Sequence, residues 1–381
     1  MKYLRTVEND TSVKTIGVTQ EPTPRKPGLA DFTYRPVFSV FDFGTITPDV
    51  SLDNTTVCLM AGFNFELLRE AGIESHYQGL VNEKGQLLTA NTAIGSQYAP
   101  RTMRVRFVNR VKPEFVNGKW NYGNFAARTV TNYVQPIEFI SRNSLPASSS
   151  VWKRVRKGEI TLQDLGLPEG FKPGDEIPEA LRPLLDYSTK FEPEDRYLKP
   201  EEAQALMYLS TERFNGINET TRKASKVMTD YARSRGFARE DGKVEYVVIL
   251  DKDDQVQDVL GDVVCTWHED RLTWKGLAIS KQLIRDEVKR VNPQWYGEIE
   301  RAKKQAKEEG HSDFRKLMDP SIEYVSPSDA FFSAINYLFE AATNQWVGSR
   351  VYHTSMRDSL EDAVDQALEL LKKTQTPIVD Y

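Results

Sequence analysis

Two cysteines, Cys58 and Cys265, are all that the 381 residues contain. They are too few for a disulfide framework, and a reducing cytoplasm is the simpler expectation. Long apolar runs are missing too. None approaches the roughly 20 residues that span a bilayer, and the opening MKYLRTVENDTSVK lacks the apolar stretch of a signal peptide. Positive charge is not in excess: 50 Lys and Arg face 55 Asp and Glu, for a net charge of −5. This excludes the strongly basic surface expected of a nucleic-acid or anionic-membrane binder. The common ligand signatures are also absent. There is no G-x-x-x-x-G-K-[ST], no G-x-G-x-x-G, no H-E-x-x-H, no paired C-x-x-C and no nucleophile elbow. Any ATP site in this chain must therefore be of a different kind.

What is present reads as globular. Hydrophobic residues make up 39% and charged residues 28%, in a length suited to two or three domains. VKTIGVTQ suggests an early strand, and PVFSVFDFGTI, residues 36–46, reads as one buried strand. TVCLMAGFNFELLREAG has apolar residues at helical spacing and a glycine stop. Strands are expected at 76–80, 103–113 and 134–144, and a short helix at SSSVWKRVRKG. Pro200 opens a helical region that Gly236 closes. KVEYVVILDKDDQVQDVLGDVVC reads as a hairpin turning at 251–254, and the chain after Ser280 is mostly helical. Strands precede helices, which favours α+β over a regularly alternating parallel sheet.

Three polar clusters are candidates for chemistry. Arg142-Asn143-Ser144 with Ser148-Ser149-Ser150 and Lys153-Arg154 makes a phosphate seat or, more plainly, a helix cap followed by a solvated basic face. DYSTKFEPEDRYLKPEEA, residues 186–203, sets Lys190 among Glu192, Glu194 and Asp195. It either lines a site or is an exposed ion-pair loop of little energetic value. In the hairpin, Glu245 and Asp262 lie on neighbouring strands. Two facing carboxylates repel unless a cation joins them, and Mg²⁺ carrying nucleotide phosphates would do so. The plain alternative turns one of them to solvent. His268, Asp270 and Arg271 follow, and a lone histidine is more often a packing residue than a catalyst.

Taken together, the clusters resemble the SAICAR synthetase family, the phosphoribosylaminoimidazole-succinocarboxamide synthases of purine biosynthesis. PIEFISRNS followed by SSSVWKRV resembles the family's Pro-Leu-Glu-x-x-x-Arg strand and its Ser-x-x-Lys turn. STKFEPED resembles its Ser-Thr-Lys-x-Glu loop. KVEY, then LGD and the later Arg271, resembles its Lys-x-Glu-Phe hairpin, acidic strand end and arginine. FSVFD and LLREAGIESH add weaker support.

The resemblance implies an α+β fold: an antiparallel-sheet N-terminal domain at 1–133, a nucleotide- and substrate-binding domain at 134–290 with an ATP cleft between them, and a helical C-terminal extension at 291–381. It implies an ATP-dependent amide-forming ligase acting on small molecules, an aminoimidazole ribonucleotide and L-aspartate, with Mg²⁺. By matching position, Glu245 and Asp262 would hold Mg²⁺, with Lys243 near the phosphates. Lys190 and Glu192 would line the nucleotide cleft. Arg142, Ser150 and Arg271 would hold the ribonucleotide, and Ser39, Asp42 and His268 would face the substrates. Asp262, Lys243 and Arg271 would be catalytic.

The chain also departs from the pattern. The family's Gly-Lys-x-Arg phosphate loop is not visible in VKTIGVTQ, the acidic partner after Asp262 is Val263, and His268 replaces an aspartate. Two other readings follow: a ligase of this fold acting on a different carboxylate or amine, in nucleoside-like or modified-nucleotide synthesis, and a nucleotide-binding protein without catalysis. The last 90 or so residues have no clear counterpart. They suggest an oligomer arm, and hence a homo-oligomer, or a lid.

Overall fold

The structure, a computed structural model, describes residues 3–8, 12–127, 129–311, 313–353 and 359–374. Two antiparallel sheets and a set of helices share one continuous apolar core. The first sheet runs Arg5–Val7, Lys14–Gln20, Gly28–Tyr34, Thr102–Phe107, Tyr77–Val81, Leu87–Leu88. The helix Thr55–Glu70 packs on it through Leu59, Phe65 and Leu68.

The second sheet is built on one long strand, Phe237–Leu250. Ile137–Arg142 and Arg271–Trp274 flank it, and Leu184–Thr189 and Tyr197–Leu198 extend the Ile137–Arg142 side. Tyr133–Val134 and Val256–Gly261 also pair with the long strand. Side chains alternate across such a sheet. Phe139, Tyr187 and Tyr246 face the helix Thr211–Ser234, where Phe139 lies 5.2 Å from Tyr246 and Tyr187 lies 5.6 Å from Phe214, ring to ring. Burying each such side chain contributes roughly 1.5–3 kcal/mol, so this face is fixed by packing. The opposite face receives Glu138 and Arg142, Asp186, Ser188 and Lys190, and Asp241, Lys243 and Glu245. The polar residues that looked scattered in sequence thus share one surface.

A bulge between Arg239 and Asp241 makes this possible. It turns Arg239 to the packed face, where it meets Asp270 at 2.6 Å and Ser225 of the long helix at 2.8 Å. Gly242 is required beside that pair. A Cβ there would stand 2.1 Å from both Arg239 and Asp270.

Two expectations from the sequence change here. Residues 36–46 are not one strand but a small hairpin, Phe38–Val40 and Gly44–Ile46. Its turn holds Phe41 at φ +48° and Asp42 at φ +57°. Two left-handed residues in succession match the twist of a tight hairpin, and Phe41 is held there by an edge contact with Tyr296 at 4.8 Å. The C-terminal helices are not a detached arm or lid. Asp329–Val347 buries Phe331, Ile335, Leu338 and Trp346 in the shared core, and Trp346 donates to Asn64 at 2.9 Å. Among the described residues no helix is long and apolar enough to cross a membrane.

Candidate active site

The strand Val256–Gly261 joins the two sheets. It pairs with Phe237–Leu250, and Leu260 exchanges backbone hydrogen bonds with Glu74 at 3.0 Å and His76 at 2.8 Å. Asp262 follows at φ +54°, and its carbonyl lies 3.2 Å from His76 Nε2. Its carboxylate thereby meets Lys14, which comes from the first sheet. Lys190 pairs with Glu245. Lys243 sits 2.8 Å from Glu138, 3.6 Å from Glu245 and 3.5 Å from Glu269. Three lysines and four carboxylates therefore form one network.

The electrostatics follow from burial and from these pairs. Burial pushes the Glu245 carboxyl up; Lys190 opposes this, while the Asp262 charge adds to it. At Asp262 burial acts upward as well, but Lys14 and then Lys190 overcome it and hold the carboxyl well below its ordinary value. Burial would likewise raise Glu269, yet Lys243 and Lys281 bring it down to about 2. Lys281 itself is pushed down to about 7 by burial and by Arg285. Its ammonium donates to Ser39 at 3.2 Å.

Glu245 and Asp262 thus converge. Among the described residues no group of three or more His, Cys, Asp or Glu has metal-holding geometry. That is compatible with Mg²⁺, which takes one or two carboxylates and draws its other ligands from phosphates and water. The donor set fits a cation arriving with phosphates: the lysines now neutralising the carboxylates would be free to turn to phosphate oxygens.

Two cavities meet at the loop after Thr189, and Lys190 of the network lines the smaller. The smaller, about 330 Å³, is lined by Ser39, Asp42, Lys190, Glu192 and Arg285. The larger, about 1560 Å³, is lined by Ser150, Arg154, Glu192, Asp195 and Tyr197 among others. Glu192 and Pro193 border both. The charged loop noted in the sequence is the partition between two cavities. Its Glu192 is held by the Tyr122 hydroxyl at 2.7 Å and by Arg196 at 3.0 Å.

Arg142, Ser150 and Arg271 also come together, but Arg142 lies beneath the surface at 2% exposure. It bonds Asp186 at 2.8 Å, Asp241 at 3.1 Å and Ser150 at 3.2 Å, and Arg154 and Arg271 grip the same two aspartates. Ser150 lines the large cavity and the Arg271 side chain is a quarter exposed. Arg142 orders these two from below.

His268 is buried, and among the described residues neither ring nitrogen has a hydrogen-bond partner. Burial, with Lys281 nearby, pushes its imidazole down to about 3. The folded state therefore keeps His268 neutral while an unfolded histidine protonates below about 6.5. Unfolding takes up a proton in that window, so stability is lost as the pH falls from about 6.5 toward 3. In a His268→Asn variant this component is absent. Urea unfolding should show the wild type losing stability relative to the variant by about 1.4 kcal/mol per pH unit below 6.5.

Comparison with known proteins decides the family. The family model described as SAICAR synthetase matches residues 49–302. A candidate phosphoribosylaminoimidazole-succinocarboxamide synthase of Archaeoglobus fulgidus is 32% identical over 362 residues, covering 95% of this chain and 99% of the relative. The chain belongs to the SAICAR synthetase family.

The Thermoplasma volcanium phosphoribosylaminoimidazole-succinocarboxamide synthase is 26% identical over 67% of this chain and 76% of its own length. The Saccharomyces cerevisiae SAICAR synthase, solved in complex with SAICAR, shares the fold with a TM-score of 0.56 at 17% identity, covering 91% of this chain and 96% of that one. SAICAR synthetases are ATP-dependent ligases of purine biosynthesis, and the α+β fold with antiparallel sheets agrees with theirs.

Sequence reasoning missed Lys14, Glu138, Glu269 and Lys281. VKTIGVTQ lacks the Gly-Lys-x-Arg loop, as read from the sequence, yet it brings Lys14 to Asp262. Its signal was a single charge opening an otherwise uncharged strand, KTIGVTQ. Glu138 stands within the quoted PIEFISRNS, in line with Arg142 at strand spacing. Replacing Lys14 with alanine should lower kcat/KM for ATP about 30-fold with the fold retained, read by ADP release and circular dichroism. A loss of less than threefold would remove Lys14 from the site.

Proposed function

We propose that this chain joins the carboxylate of carboxyaminoimidazole ribonucleotide to the amine of L-aspartate at the expense of ATP, in the cytoplasm. The observation that carries the reading is the lysine–carboxylate cluster of Lys14, Lys190, Lys243, Glu245 and Asp262, which the small cavity reaches through Lys190. A carboxylate is a poor electrophile and must first become an acyl phosphate. Its oxygen attacks the γ-phosphorus and ADP leaves. The aspartate amine then attacks the acyl carbon, phosphate departs and the nitrogen loses a proton. Such transfers need positive charge around the moving phosphoryl group and good alignment rather than a covalent protein intermediate.

In this reading Asp262 and Glu245 hold a Mg²⁺ brought with ATP, which neutralises phosphate charge. Lys14, Lys190 and Lys243 turn toward the phosphates. Glu192 fixes the loop between the cavities. Ser150 and Arg271 hold the ribonucleotide from the side of the large cavity, with Arg142 ordering both. Ser39 and Asp42 border the small cavity. The same reading takes residues 1–133, 134–290 and 291–381 as its functional units.

The test is ADP release with Mg²⁺-ATP, the ribonucleotide and aspartate. Release only with both co-substrates supports the proposal. A second reading, a different carboxylate or amine, is favoured by the buried, neutral His268, which stands where the resemblance implies an aspartate. Release with another acid or amine, and not with this pair, would establish it.

A further inference from the structure

The stretch LLREAGIESH ends on His76, which the ligase reading leaves without a role. The residue sits at the join of the two sheets. Its amide donates to the Leu260 carbonyl at 2.8 Å, and its own carbonyl accepts from the Arg106 amide at 2.8 Å. The Arg106 guanidinium also bonds the Ser75 carbonyl. The backbone at His76 is therefore held from both sides, by Val256–Gly261 on one and Thr102–Phe107 on the other.

The ring is held as well. It is buried, and Phe32 and Phe65 each meet it edge-on, 5.7 Å from centre to centre. Aromatic pairs favour that arrangement. From this clamp Nε2 reaches the Asp262 carbonyl at 3.2 Å. A carbonyl only accepts, so the ring proton is on Nε2. Asp262 is the first residue after the strand Val256–Gly261 and holds φ at +54°. Residues other than glycine avoid that region unless their surroundings hold them there. The His76 donor does so. It pins the peptide plane that follows the Asp262 Cα, and with it the direction in which the carboxylate leaves the chain. Phe32 extends the arrangement to the lysine: the ring that meets His76 lies 5.2 Å from the Lys14 ammonium, the ion-pair partner of Asp262.

We propose that His76 is a positioning residue, which through Nε2 sets the Asp262 carboxylate for a divalent cation carried by nucleotide phosphates. This rests on the place the ligase reading gives that cation, and is independent of which acid and amine are joined. Hydrogen bonds that orient a metal-binding side chain are worth roughly 10–100-fold in metal affinity or activity. The effect is confined to the metal-loaded nucleotide. ADP without a cation meets the lysines alone and does not need the carboxylate aimed.

The experiment is calorimetric titration with ADP, in Mg²⁺ and in EDTA, alongside steady-state kinetics. His76→Phe keeps a ring between Phe32 and Phe65 and loses the donor. His76→Gln keeps a donor at the same reach. The phenylalanine variant should bind Mg²⁺-ADP about 20-fold more weakly and lower kcat by about the same factor. Its affinity for ADP in EDTA and its KM for the ribonucleotide should stay within about twofold of wild type. The glutamine variant should recover most of both losses. If circular dichroism shows the phenylalanine variant unfolded, His76→Asn, too short to reach the carbonyl, replaces it with the same expectation. If neither folds, His76 holds the fold rather than the carboxylate, and the proposal falls. Equal losses with and without Mg²⁺, Mg²⁺-ADP binding within about threefold of wild type, or a glutamine variant as impaired as the phenylalanine one would each overturn it. Wild-type protein that forms no amide from the ribonucleotide and aspartate, but shows the Mg²⁺-dependent loss in the variant, would sink the ligase reading and keep the role of His76. Amide synthesis by the wild type with unaltered Mg²⁺-ADP binding in the variant would do the reverse.

Discussion

Replacing Asp262 with asparagine is expected to lower kcat at least 1000-fold, about 4 kcal/mol of transition-state stabilisation, while the protein stays folded. The substitution is chosen for the backbone. Asp262 holds φ at +54°, and asparagine tolerates the left-handed region better than other non-glycine residues. What changes is charge. The site holds the Asp262 carboxyl below its ordinary value through Lys14 and Lys190, and its charge helps to raise Glu245. In the proposed site its loss would remove one of two anionic ligands for the nucleotide's cation, and Lys14 would lose its ion-pair partner. Stopped assays of ADP, with circular dichroism as the control for folding, decide the matter. A variant within tenfold of wild type would remove Asp262 from the chemistry.

Replacing Arg142 with alanine should act mainly on stability, with a loss of about 3–5 kcal/mol in urea unfolding. That is the range for breaking a buried ion pair from one side. Arg142 is almost wholly enclosed, and its departure leaves Asp186 and Asp241 each short of a charged partner. Arg154 and Arg271 remain on those carboxylates, which keeps the loss within that range. Because Ser150 and Arg271 are oriented by the same cluster, the KM for the ribonucleotide should rise while that for ATP stays unchanged. Stability within 1 kcal/mol of wild type would contradict the role assigned to this network.

The legible parts of the sequence were those with local signals. Apolar residues at helical spacing marked Thr55–Glu70 and Thr211–Ser234, and alternation marked the hairpin that carries Glu245. The polar clusters were visible as clusters, and the charged loop at 186–203 does border cavities. Less legible was anything set by distant chain. Lys14 acquires its meaning from Asp262, 248 residues away. The turn at Phe41 and Asp42 has no glycine or asparagine to announce it and is stabilised by Tyr296 from a late helix. Arg142 read as a ligand because a strand-end arginine looks available. Only the facing aspartates from two other strands show that it is spent. The helix Asp329–Val347 was recognisable as a helix, but its burial depends on the helix at Thr55–Glu70.

The strand Val256–Gly261 is hydrogen-bonded on one side to the long central strand and on the other to the segment at Glu74 and His76. Asp262 thus follows a strand tied by backbone to both sheets, and Lys14 reaches it from the first of them. In the proposed chemistry, shielding an acyl phosphate from water falls to parts that stand clear of this tie, such as the tight turn at Phe41 and Asp42.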